Sequence, residues 1–269
     1  SNGVRVIDSQ AGELACGWHG DGRLAEPSVI VETVHSVLQP QGSLLGKCIL
    51  ITAGPTYEDF DPVRFIGNRS SGRMGFALAT EAAKRGARVI LVTGPTSLPV
   101  PERVEVTKIR SAAEMHVAVI AHVEDCDAVI MAAAVADYTP MAGRADQKLV
   151  KGDEVVTIEL KLAPDILAEL GKWRDGRKLP VLVGFSAECS DSNQRAKKKL
   201  EAKKLDLIVA NNVSRPDAGF EVETNVATLI SQSEEDVRPL QLKSDLAQDI
   251  FDRVETILTR LGKPLEAHL

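Results

Sequence analysis

The chain predicts an open, doubly wound α/β fold, a mostly parallel sheet with helices on both of its faces. Three observations carry that expectation. Short apolar runs rich in β-branched residues recur at CILITA (48–53), RVILVT (88–93), AVIMAAA (128–134) and VLVGFSAE (181–188), as in strands buried on both faces. Stretches with apolar residues at helical spacing separate them. Strands alternating with helices at this interval imply parallel pairing through right-handed crossovers.

The elements follow in order. Residues 1–44 stand apart: AGELACGWHGDGRLAEP reads as a glycine-rich loop, and a short amphipathic helix follows, with Pro27 near its start and Ile30, Val31, Val34 and Val37 on its apolar side. Gln39 to Ser43 has the composition of a linker. From Lys47 the strand–loop–helix pattern begins. CILITA is the first strand; the next helix spans about 72–85, opens near Ser70 and Ser71, and closes at Gly86. RVILVT is followed by a Pro/Gly loop and a strand at Val104–Ile109. Ser111-Ala112-Ala113-Glu114 is a capping box that opens a helix to about Val123. AVIMAAA is the next strand, and after it the character changes: a polar loop and the alternating VVTIEL suit an antiparallel strand or an extended arm. Pro164-Asp165 starts a short helix with proline in its first turn; VLVGFSAE, a basic helix over Asn193–Lys204, LDLIVANN and a strand in NVATLI complete the pattern. Ser244 is expected to cap a last helix that carries Leu246, Ile250, Val254, Ile257 and Leu261 on one side.

The bulk numbers exclude several classes. With 44% apolar and 26% charged residues in 269, the chain has the balance of a globular protein. A net charge of −6 and an isoelectric point near 5.5 argue against a general nucleic-acid binder. No apolar run reaches membrane-spanning length, so no membrane association is expected, and the location expected is cytoplasmic. Cys16, Cys48, Cys126 and Cys189 lack CxxC spacing, which suggests neither zinc nor a disulfide framework; Cys48 and Cys126 read as core residues. No GxGxxG follows the first strand and no P-loop is present. No histidine pairs with a serine or cysteine nucleophile, and His116 and His122 read as surface residues on a helix.

In open α/β sheets ligands bind beyond the carboxyl ends of the strands, so the loops after Ala53 and Ala134 are the places for chemistry. In DPVRFIGNRSSGRMG (61–75), Arg64, Asn68, Arg69 and Arg73 crowd donors around Ser70, Ser71 and Gly72 at a helix start. That is either a seat for phosphate or carboxylate or a plain serine cap with solvated arginines. Asp137 lies just past a buried strand, where its carboxylate either meets a sugar hydroxyl, a base or a cation-bound phosphate, or caps its own loop. Lys148 and Lys151 sit in a polar loop, and Pro164–Leu167 is a second helix opening. Phe185 at a strand end is placed to stack on a base or to fill the core. Lys199 and Lys203, four apart, share a helical face and can reach one polyphosphate, unless that face is merely wet.

Seven ordered blocks, ITAGPT, DPVRFIGNRSSGRMGFALA, AAAVADY, KLAPDIL, GFSAE, KKKLEAKKLDLIVANNVS and GFEVETNVATLI, strongly resemble bacterial phosphopantothenoylcysteine synthetase, the second half of a bifunctional coenzyme A biosynthesis flavoprotein. The match runs from about Lys47 to Leu261, within a domain set at 45–269; residues 8–38 resemble the tail of the preceding decarboxylase half, so 1–44 reads as that remnant plus a linker. The resemblance implies a Rossmann-like fold with residues 138–162 as a dimerisation arm, and a homodimer. It implies an acid–amino-acid ligase that activates 4′-phosphopantothenate with CTP, aided by Mg²⁺, and couples the acyl-cytidylate to L-cysteine. Position by position, it makes Asn68 and Lys148 catalytic, although the family's KxKK loop reads KLVK here. It assigns CTP to Asp137, Pro164, Asp165, Ile166, Leu167, Phe185, Lys199 and Lys203, with Asp137 also a candidate metal ligand. Arg64, Ser70, Ser71 and Gly72 would serve phosphopantothenate. Cys16 matches the decarboxylase's proton donor, but the flavin-binding fold that should precede it is missing, so no FMN is expected in this chain. The rival expectation is a non-catalytic Rossmann-like subunit that binds a nucleotide or flavin.

Overall fold

The computed structural model describes residues 6–13, 18–38, 42–152, 155–188, 192–212, 219 and 222–262. It divides into two compact units, residues 1–41 and 42–269. In the first, β1 (Gln10–Glu13) and β2 (His19–Arg23) pair antiparallel with Gly12 opposite Gly20, so the stretch expected as a loop is a hairpin. Its glycines hide the alternation by which a strand announces itself. Helix α1 (Pro27–Leu38) starts on its proline as expected, while Val31 and Val34 of its apolar side are 53% and 46% exposed.

The second unit opens with β3 (Cys48–Ala53), buried along its whole length. A small hairpin of β4 (Tyr57–Asp59) and β5 (Phe65–Gly67) leads to α2 (Arg73–Lys84). Then come β6 (Arg88–Thr93), β7 (Val104–Lys108), α3 (Ala112–His122) and β8 (Ala128–Met131). β9 (Tyr138–Pro140) and β10 (Leu160–Leu162) pair antiparallel and form the base of an arm. Helix α4 (Ile166–Trp173), β11 (Val181–Glu188), α5 (Ser192–Ala202) and β12 (Leu207–Asn212) follow. The hairpin of β13 (Thr224–Ile230) and β14 (Glu235–Leu242) and the long α6 (Lys243–Gly262) complete it.

Eight strands form one sheet in the order β14-β13-β12-β11-β8-β3-β6-β7. From β12 to β7 all neighbours are parallel, and β13 alone runs against them. The parallel part reverses its winding between β3 and β8, which opens a crevice at their carboxyl ends. Helices α2 and α6 cover one face with Leu78, Ala82, Ile250, Phe251 and Val254. On the other face α3, α4 and α5 bury Met115, Val119, Leu170, Ala196 and Leu200. Cys48 and Cys126 lie in that second core with their sulfurs 3.6 Å apart, and burial pushes the Cys126 thiol up from its usual range.

Several boundaries depart from the sequence expectation. The third buried strand stops at Met131, because Ala132 to Ala136 leave the sheet to bond the loop after β3. Of the alternating 155–160 segment only Leu160 enters a ladder. The basic helix ends at Ala202. Strand β14 was not expected, since Pro239 and its charged residues obscure a strand that pairs on one side only. His116 is not a plain surface residue: it is half-buried and joins α3 to α4 through Glu169 Oε2 at 2.8 Å. Ser244 is inside the first turn of α6, which begins at Lys243.

Candidate active site

The crevice is built from four strand ends. The loops after β3 and β8 are laced together: Ala134 N–H donates to Gly54 O at 2.9 Å, Thr56 N–H to Ala134 O at 3.3 Å, and Ala136 N–H to the buried Thr56 hydroxyl at 2.9 Å. Asn68 closes the lacing, its Nδ2 donating to Val135 O at 2.8 Å. An amide nitrogen has two N–H donors, and this contact engages one. The hairpin before Asn68 is held by stacked Tyr57 and Phe65 rings, centroids 3.8 Å apart, and by Arg110, which lies over both rings and grips Asp59 with two 2.7 Å bonds.

The start of α2 differs from expectation. The N-cap is Gly72 at φ 81°, not a serine, and no side chain caps the helix. Ser70 Oγ instead accepts from Gly72 N–H at 3.3 Å, and Ser71 O accepts from Thr96 Oγ1 at 3.1 Å. Left-handed backbone there admits glycine at no steric cost. One turn on, Gly75 lets α2 press onto β3: a Cβ at this position would stand 2.4 Å from Ala53 Cβ.

Two clefts open at these strand ends. One, of about 550 Å³, is lined by Asn68, Ser70, Ser71, Gly72, Arg73 and residues of β11 and β12. The other, of about 390 Å³, is lined by Asp137, Pro164, Asp165, Ile166, Leu167 and Lys203. They share Ala133, Val135, Phe185 and Lys199 as a common wall. Every residue expected to bind nucleotide therefore lines one cleft, and Asn68 with the 70–72 turn lines its neighbour.

Helix α4 does not offer the bare anion seat expected of it. Its proline precedes the cap, and its N-cap is Asp165, whose own carboxylate accepts from Ala168 N–H at 3.1 Å and from Lys203 Nζ at 2.9 Å. Burial pushes that carboxyl up, but the Lys203 and Ala168 donors and the charges of Lys203 and Lys172 hold it below the usual range. Lys203 lies one residue past α5 yet still reaches the cleft, and Lys199 Nζ is 3.0 Å from Ser186 Oγ. Asp137 is exposed, and among the described residues no three acidic, histidine or cysteine side chains converge on a metal site.

Three lining residues were not anticipated. Lys243 is 6% exposed, donates to Gly219 O at 2.8 Å and to Val222 O, and is pushed down to about 8 by burial and then by Arg73, with Glu223 opposing. Asn225 is buried and accepts from Val226 N–H. Asn211 Oδ1 is buried with no hydrogen-bond partner among the described residues. A lysine opening a helix and asparagines near strand ends carry no pattern in sequence; only the sheet brings them to one place.

A family model described as the DNA/pantothenate metabolism flavoprotein C-terminal domain matches residues 44–258. The chain belongs to that family. Among relatives of this flavoprotein C-terminal domain, the coenzyme A biosynthesis bifunctional protein CoaBC of Bacillus subtilis (strain 168) is 43% identical over 266 residues, 97% of this chain and 64% of that protein. The chain thus spans just under two thirds of that relative. A protein named cysteine/cysteine sulfinic acid decarboxylase, from an unknown prokaryotic organism, is 44% identical over 264 residues, 96% of this chain and 73% of its own length. The crystal structure of the C-terminal domain of a CoaBC protein superposes with TM-score 0.68 at 40% identity, covering 82% of this chain and all of that one. The fold is therefore that of the family domain, as the sequence predicts.

Two expected residues of the domain line neither cleft. Arg64 donates to Leu149 O at 3.0 Å and pairs with Asp61 at 3.6 Å. Lys148, next to Leu149, is exposed on the arm. Asp61 is fully buried; burial raises its carboxyl, but N–H groups of Val63, Arg64 and Leu149 and the Arg64 charge bring it below the usual range. Cys16 and Cys189 lie outside the described residues.

Proposed function

We propose that residues 45–269 are a phosphopantothenate–cysteine ligase of coenzyme A biosynthesis, preceded by a short remnant of a decarboxylase half. The observation that carries this reading is the junction of the two clefts. Val135 stands in their common wall, and the Asn68 amide is bonded to its carbonyl. A nucleotide in one cleft and an acyl group in the other would meet there.

The chemistry runs in two displacements. The 4′-phosphopantothenate carboxylate attacks the α-phosphorus of CTP; the P–O bond to the β-phosphate breaks and pyrophosphate leaves, giving the acyl-cytidylate. The cysteine amine then attacks the acyl carbon, the bond to the cytidylate oxygen breaks, CMP leaves with its electron pair, and the ammonium proton is lost to solvent. Phe185 supplies a ring for the base, and Lys199 and Lys203 offer positive charge to phosphate oxygens. Asn68 donates to the acyl oxygen as it gains negative charge. Lys148 offsets the repulsion between a carboxylate and a triphosphate while the intermediate forms. Asn211 Oδ1 is an acceptor for a ligand N–H. A divalent cation on the triphosphate, with Asp137 its protein carboxylate, would neutralise charge, which suits the habit of Mg²⁺ of taking few protein ligands. One relative carries a decarboxylase name; the ligase reading is preferred because the cleft walls gather donors for phosphate and acyl oxygens.

The protein is proposed to work in the cytoplasm as a homodimer through its arm, where Val150, Val155 and Leu162 are 90%, 93% and 75% exposed. No described helix is long and apolar enough to cross a membrane.

The test is pyrophosphate release with phosphopantothenate, Mg²⁺ and CTP or ATP, with and without L-cysteine. CTP-dependent release that turns over only with cysteine, and an Asn68→Asp variant that accumulates acyl-cytidylate, are expected. No release from folded protein with either nucleotide would leave only a nucleotide-binding subunit.

A further inference from the structure

The 61–64 turn grips one residue of the arm through the peptides on both its sides. Asp61 Oδ1 accepts from its own turn, from Val63 N–H at 2.8 Å and Arg64 N–H at 2.7 Å. Its Oδ2 accepts from Leu149 N–H at 3.3 Å, and Arg64 Nη2 donates to Leu149 O at 3.0 Å. Leu149 thus has both its N–H and its C=O satisfied by two side chains, as a neighbouring strand would satisfy them. A second tie, Ala145 N–H to Phe60 O at 3.0 Å, anchors the same stretch four residues earlier. Between these ties the arm is largely exposed, and Lys148 projects from it.

We propose that Asp61 is a positioning residue for the ligation: with Arg64 it clamps the backbone of Leu149, and so fixes where Lys148 is presented to the reacting phosphate. This rests on Lys148 acting in the first half-reaction. The chemistry requires a carboxylate, because both oxygens must accept. An asparagine could keep the local turn with its carbonyl oxygen, but would turn an N–H₂ toward Leu149 N–H, donor against donor. Asp61→Asn is therefore a selective lesion, which spares the turn and opens the clamp.

Two measurements on the full chain test this. Trypsin cleavage of the native protein after Lys148 and Lys151 is expected to quicken about tenfold in Asp61→Asn, since an opened clamp frees the arm. Single-turnover pyrophosphate release from CTP and phosphopantothenate is expected to slow by about the same factor, with KM for L-cysteine unchanged. Combined with Lys148→Ala, Asp61→Asn should cost nothing further, because the two act as one unit. Losses that multiply in the double variant, or cleavage at the unaltered rate, would overturn the proposal. Should Asp61→Asn fail to fold, Leu149→Pro removes the arm's N–H and leaves the buried turn whole; because trypsin does not cut before proline, cleavage after Lys151 is read, and an unaltered rate there would refute the clamp. If Lys148→Ala releases pyrophosphate normally, the role of the lysine falls, while the cleavage assay still decides the clamp by itself.

Discussion

At the scale of single residues, the cleft holds a lysine whose charge the fold resists. Lys243 is enclosed, its ordinary value of 10.5 lowered to about 8, so between those values the unfolded chain binds the proton and the folded one does not. Stability contributed by this group therefore rises with pH from about 8 to 10.5, and below pH 8 the full penalty of burying the ammonium persists. Lys243→Met should abolish that rise, worth up to roughly 3 kcal/mol. Urea unfolding of both proteins at pH 7.5 and pH 10 reads it directly. Asp165 is shifted in the same direction, so the stability it contributes also rises with pH, but here the fold favours the charged form where at Lys243 it resists it. Its lowered carboxyl stabilises the fold above its ordinary value of 3.8 and loses that effect as pH falls through its folded value. Asp165→Ala should cost about 1 kcal/mol at pH 7 as a lost helix cap, and the difference from the parent protein should narrow as the pH falls. Denaturant midpoints at pH 7 and pH 3 check both halves of that statement. Asn68, Asp137, Phe185 and Lys199 were legible in the sequence because they fall in motif blocks that match the family position by position. Lys243 was not, since nothing near it in the chain marks a site, and Asn211 and Asn225, although inside the LDLIVANN and GFEVETNVATLI blocks, are brought to the cleft only by the sheet.

At the scale of elements, α2 and its partner α6 show what packing adds to pattern. Arg85, 15% exposed in its side chain, donates to Glu81 at 2.7 Å, Asp252 at 2.7 Å and Glu255 at 3.0 Å, and lies over the Phe251 ring. Removing it would leave the largely buried carboxylate of Glu81 with only the exposed Lys84 ammonium, 3.8 Å away, to compensate it. Arg85→Ala should cost about 3–5 kcal/mol, seen as a lower denaturant midpoint with an unchanged slope. The core strands and α2, α3 and α6 could be read from the chain because their faces are filled by apolar residues at regular spacing. The capping box of α3 was legible for the same local reason: Ser111 Oγ accepts Glu114 N–H at 3.2 Å. The small hairpin of β4 and β5 was not, for its strands are three residues long and are fixed by an arginine, Arg110, from a distant loop. Strand β14 was missed because it is polar and gains its structure from the single neighbour β13.

At the scale of the whole molecule, the doubly wound order was legible because parallel strands force crossovers of one hand. Its antiparallel end was not, since hairpins such as β13–β14 leave no comparable trace. The exposed valines of the arm carry a further expectation. In the proposed homodimer, Val156→Glu, at a position 61% exposed, should leave the monomer fold intact and shift sedimentation from dimer to monomer. The seam between α2 and α6 has a different kind of consequence. Leu44 is buried in the same core as α6, Ser43 bonds Glu255, and the first helix of this unit rests on its last. As a growing polypeptide emerges from the ribosome, α2 and the strands beside it arrive well before the helix that shields them. That apolar face has no cover until nearly the whole unit has been translated. Nascent chains halted before Ile250 should therefore recruit chaperones and resist compaction, and a stall placed beyond Leu261 should release a protected domain.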